Sequence, residues 1–177
     1  MTSAATLSSI VVVPASGDRS RGLIVAGNLH APCALGRAGT RRRKREGDGA
    51  TPIGSFKLLA VLYRSDHLPR PRTRLPVTPL RPDSGWCDDP GDLAYNHPVR
   101  TPYLASHERL WRPDRLYDVI VVLNYNLSPR VPGAGSAIFL HIATEDFSPT
   151  EGCVAIFPET MRRLLPHLGP QTVIHIR

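Results

Sequence analysis

The sequence predicts a mainly β fold, a sandwich or barrel with one or two short helices. Three observations predict it. The apolar runs are short and rich in Val and Ile, eighteen prolines and fourteen glycines interrupt them, and only one stretch has convincing helical spacing. The 177 residues, 41% of them hydrophobic, are enough for one buried domain over 8–176 and few for two.

Residues 8–13 (SSIVVV) are β-branched and apolar, and Gly17 and Asp18 follow as a turn. Residues 22–26 read as a returning strand and 31–35 as a third. Further strands are expected at 56–63, 119–123, 137–142 and 172–176. The helical stretch is 158–168, where Met161, Leu164, Leu165 and Leu168 fall at i, i+3, i+4 and i+7. Pro158 suits its first turn, Glu159 its positive end and Gly169 its stop. Residues 106–112 are a candidate second helix. The span 65–115 is rich in Pro, Arg and Asp and is too long for a structureless loop in a compact domain. It is expected to hold short irregular elements that wall a groove.

No run approaches the roughly 18–20 apolar residues of a membrane-spanning helix, so no integral membrane segment is expected. Residues 1–9 lack the basic start and apolar block of an export signal. The net charge is +7, with basic clusters at 41–45 (RRRKR) and at Arg70, Arg72 and Arg74. Such a surface attracts anionic polymers. Aromatic interleaving and zinc-finger spacing are missing around both clusters, so a nucleic-acid partner is not expected. Solvated loops are the simpler reading of both. Cys33, Cys87 and Cys153 are widely spaced and odd in number, which disfavours a disulfide framework or zinc ribbon. The aspartates 88, 89 and 92 lack calcium-loop spacing and read as a turn, and no histidine pair has metal-ligand spacing.

The densest chemical signal is His141, at the end of an apolar strand, followed by Cys153 after a polar loop and a glycine. A cysteine nucleophile needs thiolate character, and a neighbouring imidazole can take its proton. Gly152 lets a substrate approach the backbone closely and leaves N–H groups for an oxyanion. Against this stands the plain alternative of a buried core cysteine and a satisfied histidine. Tyr95 and Asn96, in the polar central segment, are candidates for substrate contact.

Three segments carry a resemblance. Residues 47–56 (GDGATPIGSF), 135–141 (GSAIFLH) and 150–155 (TEGCVA) resemble, in that order, the motifs of the L,D-transpeptidase (YkuD-type) catalytic domain family. The resemblance spans essentially the whole chain, 8–176. It implies a mainly β domain with Cys153 as nucleophile and His141 as proton acceptor and donor. It further implies that Thr150 supports the loop and that Gly152 and the Cys153 amide line the oxyanion hole. Metal and cofactor are not implied. The substrates implied are peptidoglycan stem peptides: attack after the L-centre of the diamino-acid residue releases D-alanine. The acyl group then passes to a stem amine, a D-amino acid or a lipoprotein lysine, in cell-wall cross-linking and shape. Acylation by carbapenem-type inhibitors and a place in the cell envelope or periplasm follow from the same resemblance, although the sequence shows no export signal and a cytoplasmic site stays open.

Two positions depart from the common pattern. Glu151 stands where many members have histidine, and Ala155 where they have a polar or basic residue. Beside a thiolate, Glu151 would raise the thiol pKa, and a protonated His141 is the expected compensation. Two alternatives accompany this reading: an L,D-carboxypeptidase or endopeptidase that passes the acyl group to water, and a non-catalytic module for an anionic polymer.

Overall fold

The computed structural model describes residues 5–177, so the beginning of the segment read for an export signal lies outside the described residues. Among the described residues, fourteen strands form in chain order. The first six are β1 (Ser9–Pro14), β2 (Arg21–Ala26), β3 (Leu29–Ala34), β4 (Thr40–Arg41), β5 (Thr51–Pro52) and β6 (Gly54–Tyr63). The central segment adds β7 (Val77–Pro79), β8 (Ser84–Cys87), β9 (Pro98–Arg100) and β10 (His107–Arg109). The last four are β11 (Val119–Leu123), β12 (Phe139–Ile142), β13 (Val154–Ile156) and β14 (Val173–Ile176). The helix α1 (Pro158–Leu164) lies between β13 and β14.

Hydrogen bonding runs β11-β12-β13-β3-β2-β1-β14-β6, and β6 pairs back with β11, closing a barrel. The link between β13 and β3 is a single pair, Ala155 with Ala34. Alternation sorts the side chains. Ile10, Val12, Ile24, Cys33, Leu140, Val154, Ile174 and Ile176 fill the interior, together with Val119, Val121 and Leu123 of β11. The other face of β11 and β12 is covered as well. There Ile120, Val122 and Phe139 pack with Trp86, Leu110 and Tyr117 from the central segment. That segment is a small sheet, β10-β8-β9, lying on the outside of the barrel. The site occupies this second interface.

Phe139 anchors it. Its ring meets Trp86 edge-on at 5.1 Å and Tyr117 at 6.2 Å, and it is fully buried. Phe139→Ala is expected to cost about 3–5 kcal/mol. A lower denaturant midpoint with an unchanged m-value would register it.

Three expectations need correction. Residues 106–112 are not helical: His107, Glu108 and Arg109 pair with Cys87, Trp86 and Gly85, because so short a stretch cannot nucleate a helix against sheet pairing. The helix of 158–168 stops at Leu164 and tightens into a 3₁₀ turn, Leu165–His167, since Pro166 has no N–H to continue the ladder. Its four apolar positions are nonetheless buried. The strand expected at 137–142 starts only at Phe139, because Ala137 adopts a left-handed φ of 52°.

Candidate active site

β12 places Phe139 and His141 on its outer face. Parallel pairing of Leu140 with Val154 and His141 with Ala155 puts Cys153, one residue before β13, level with Phe139. Cys153 and His141 are therefore diagonal neighbours on one face. The Phe139 N–H donates to Cys153 Sγ at 3.3 Å, and the thiol donates to Ala137 O at 3.2 Å. His141 Nδ1 lies 2.8 Å from Ile142 O. A carbonyl can only accept, so Nδ1 carries the proton and Nε2 keeps its lone pair. Tyr117 packs edge-on against the imidazole at 5.0 Å. Both side chains line a cleft of about 540 Å³ between the barrel wall and the central segment.

The approach to Cys153 is held by Thr150. Its Oγ1 donates to Cys153 O at 2.7 Å and accepts from Gly152 N at 3.1 Å. Backbone bonds from Thr150 N to Leu35 O and from Arg37 N to Thr150 O, 2.9 and 2.8 Å, tie the loop to the chain after β3. Gly152 has φ +140°, and a Cβ there would lie 2.8 Å from Ala50 O. Gly152→Ala is therefore expected to cost about 1–3 kcal/mol and to displace the cysteine. A lowered melting temperature with altered labelling of Cys153 would show it.

Cys153 is 7% exposed and His141 5%, and burial controls their titration. It pushes the thiol up to about 12, with Glu108 adding to the rise, while the Phe139 N–H and Lys44 oppose it. Burial likewise lowers His141 to about 4, and the Arg112 cation adds to that. Both groups rest neutral near pH 7. Burial thus disfavours the expected thiolate–imidazolium pair at rest, raising the thiol and lowering the imidazole.

Other expectations change for local reasons. Glu151 lines the same cleft, but its carboxylate is exposed and meets Arg37 Nε at 2.9 Å. The acid that acts on Cys153 is instead Glu108, itself raised by burial and accepting a hydrogen bond from Tyr117 Oη. The Gly152 N–H expected in the oxyanion hole is turned back onto Thr150. Tyr95 and Asn96 do not line the cleft. Tyr95 is 1% exposed, donates to Glu46 and accepts from Gly135 N at 3.0 Å. Asn96 Oδ1 accepts from Trp86 Nε1 at 2.9 Å and Ala137 N at 3.0 Å. Asn96 thus holds the residue whose carbonyl receives the thiol proton.

Sequence reasoning passed over Glu108, Tyr117, Arg112 and Lys44, all of which line the cleft. Glu108 and Arg112 sit in the 65–115 segment and Tyr117 just after it, where nothing local marks them. Lys44 lay hidden in a basic run, though Asp48 four residues on was a signal: the two meet at 2.8 Å.

A family model described as the L,D-transpeptidase catalytic domain (YkuD) matches residues 15–176. The chain belongs to that family. Among solved structures it is similar to L,D-transpeptidase 1 of Mycobacterium tuberculosis, at 12% identity and a TM-score of 0.40, over 95% of this chain and 61% of that one. The chain thus spans less than two thirds of the length of that structure. No curated protein matches it significantly. Among the described residues, no helix is long and apolar enough to cross a membrane.

Proposed function

We propose that this chain is a cysteine-dependent L,D-transpeptidase that forms a thioester at Cys153 with peptidoglycan stem peptides. The observation that carries the reading is the placement of Cys153 and His141 on one strand face in one cleft, with Nε2 left as the acceptor.

The titration argues against a preformed thiolate. With the thiol near 12, ionising it at pH 7 without an acceptor costs about 7 kcal/mol. Attack and proton transfer therefore occur together. Substrate binding turns the thiol from Ala137 O toward Nε2. His141 takes the proton as sulfur adds to the carbonyl carbon, then gives it to the departing D-alanine amine. The incoming acceptor amine reverses these roles and frees the thiol. The Ile142 carbonyl steadies the ring while it is cationic, as it accepts from Nδ1 in both states.

Mass analysis after incubation with a tetrapeptide stem tests the reading. A thioester increment on the Cys153 peptide, with release of D-alanine, is expected; a label on Cys33 or Cys87 would overturn it. A carbapenem is expected to label the same peptide. Ala155 puts only a methyl group in register with His141 on the cleft wall, which favours water as an alternative acceptor. Products formed with and without an added D-amino acid separate transfer from hydrolysis.

A further inference from the structure

Four of the five basic residues at 41–45 face solvent, while Lys44 turns inward. Its side chain is 2% exposed, yet it lines the same cleft as Cys153. Two glycines make its path. A Cβ on Gly135 would stand 2.8 Å from the lysine Cε, and one on Gly152 would stand 3.3 Å from Nζ. The ammonium therefore lies against the residue immediately before the cysteine.

An ammonium has three N–H donors. Among the described residues, one goes to Asp48 Oδ1 at 2.8 Å and one to Arg45 O at 3.3 Å, which leaves a third for the cleft. Asp48 does not cancel the charge outright. It also accepts from Arg45 N at 2.9 Å, Ala50 N at 3.0 Å and Arg41 at 3.2 Å, so its negative charge is spread over several donors. A buried ion pair contributes little to stability compared with apolar residues of the same volume. Its position beside a reacting group gives it a different use.

Attack on a carbonyl creates negative charge that needs donors, and with the Gly152 N–H committed to Thr150 the Cys153 amide is the one left of the two expected backbone donors. We propose that Lys44 is the cation that stabilises negative charge at Cys153, on the sulfur when the free protein ionises at high pH and on the carbonyl oxygen of the tetrahedral adduct. The second half rests on the acyl-transfer reading above. In that step the S–C bond forms, the thiol proton passes to His141 Nε2, and the carbonyl π pair moves onto oxygen. Lys44 donates a hydrogen bond to that oxygen and keeps all its protons. The titratable groups lining the cleft around this spot are Glu46, Asp88, Glu108, Arg112, Tyr117, His141 and Glu151, and Asp48 pairs with the ammonium itself.

Two neutral variants test the assignment: Lys44→Met, and Lys44→Gln, which keeps a hydrogen bond to Asp48 should the first fail to fold. Folded variants are expected to acylate with a tetrapeptide stem about 10²–10³-fold more slowly, with KM changed only a few-fold. Alkylation of Cys153 by iodoacetamide at pH 9, read on its own peptide, is expected to slow about tenfold as the cation is lost. Lys44→Arg, which keeps the charge, is expected to recover part of both rates. A folded neutral variant that acylates within about threefold of the parent and alkylates at the parent rate would overturn the role of Lys44. If the parent chain forms no thioester with any stem while the alkylation slows as expected, the acyl-transfer reading fails and the charge-stabilising role of Lys44 stands.

Discussion

Cys153→Ala is expected to lower thioester formation and D-alanine release by at least about 10⁴-fold while leaving the fold in place. The size follows from the chemistry. Removing a nucleophile leaves only binding and electrostatic stabilisation, and neither can form a covalent intermediate. Structural cost should be small, because the thiol makes two weak hydrogen bonds, with Phe139 N and Ala137 O, and alanine preserves the backbone around Gly152. Neither other cysteine can replace it. Cys33 lies inside the barrel with its thiol pushed up to about 12 by burial, and Cys87 is buried in β8. Stopped-time mass analysis and a D-alanine assay, with melting curves as the control for folding, decide the matter. Activity within tenfold of the parent would sink the cysteine mechanism.

The barrel was legible because its strands obey simple patterning. Alternation in β1, the Val- and Ile-rich run of β11 and the i, i+3, i+4, i+7 spacing of α1 each report one element to its own neighbours. β13 was not legible: three residues after the cysteine are too short to show a period, and they become a strand through parallel pairing with β12. The same limit applies to the site. Cys153, His141 and Thr150 could be found from local sequence because they lie within one strand–loop–strand unit. Lys44 and Glu108 lie 109 and 45 residues before Cys153 and reach it only through long-range closure: Lys44 by way of the β4–β5 connection, Glu108 by way of β10. Their effect on the thiol is electrostatic, and sequence spacing carries no record of it.

Burial is what the sequence could not convey, and it reverses the expected pH behaviour at His141. Sequence reasoning led to a protonated His141 compensating a thiolate at Cys153. With His141 lowered to about 4 and the thiol raised to about 12, the active form is the neutral pair. Acylation is expected to stay level across neutral pH and to fall only as His141 takes up a proton near pH 4. His141→Gln should reduce acylation about 10³- to 10⁴-fold at every pH, at the upper end for a general base because no thiolate reserve exists to react without it. Stability should respond as well, and its sign can be worked out. The unfolded chain protonates this histidine below pH ~6.5 and the folded chain does not until about 4, so the unfolded state binds the extra proton in between. Stability contributed by the neutral ring is complete above pH ~6.5 and declines toward pH 4, by about 3 kcal/mol in all. His141→Gln should flatten that part of the denaturation-versus-pH curve while leaving the loss below pH ~4 from Asp48, whose hydrogen bonds hold it at about 2 against the opposing effect of burial. An acid limb in acylation near pH 6–7, together with an alkylation plateau at neutral pH, would establish the ion pair instead and overturn the neutral mechanism.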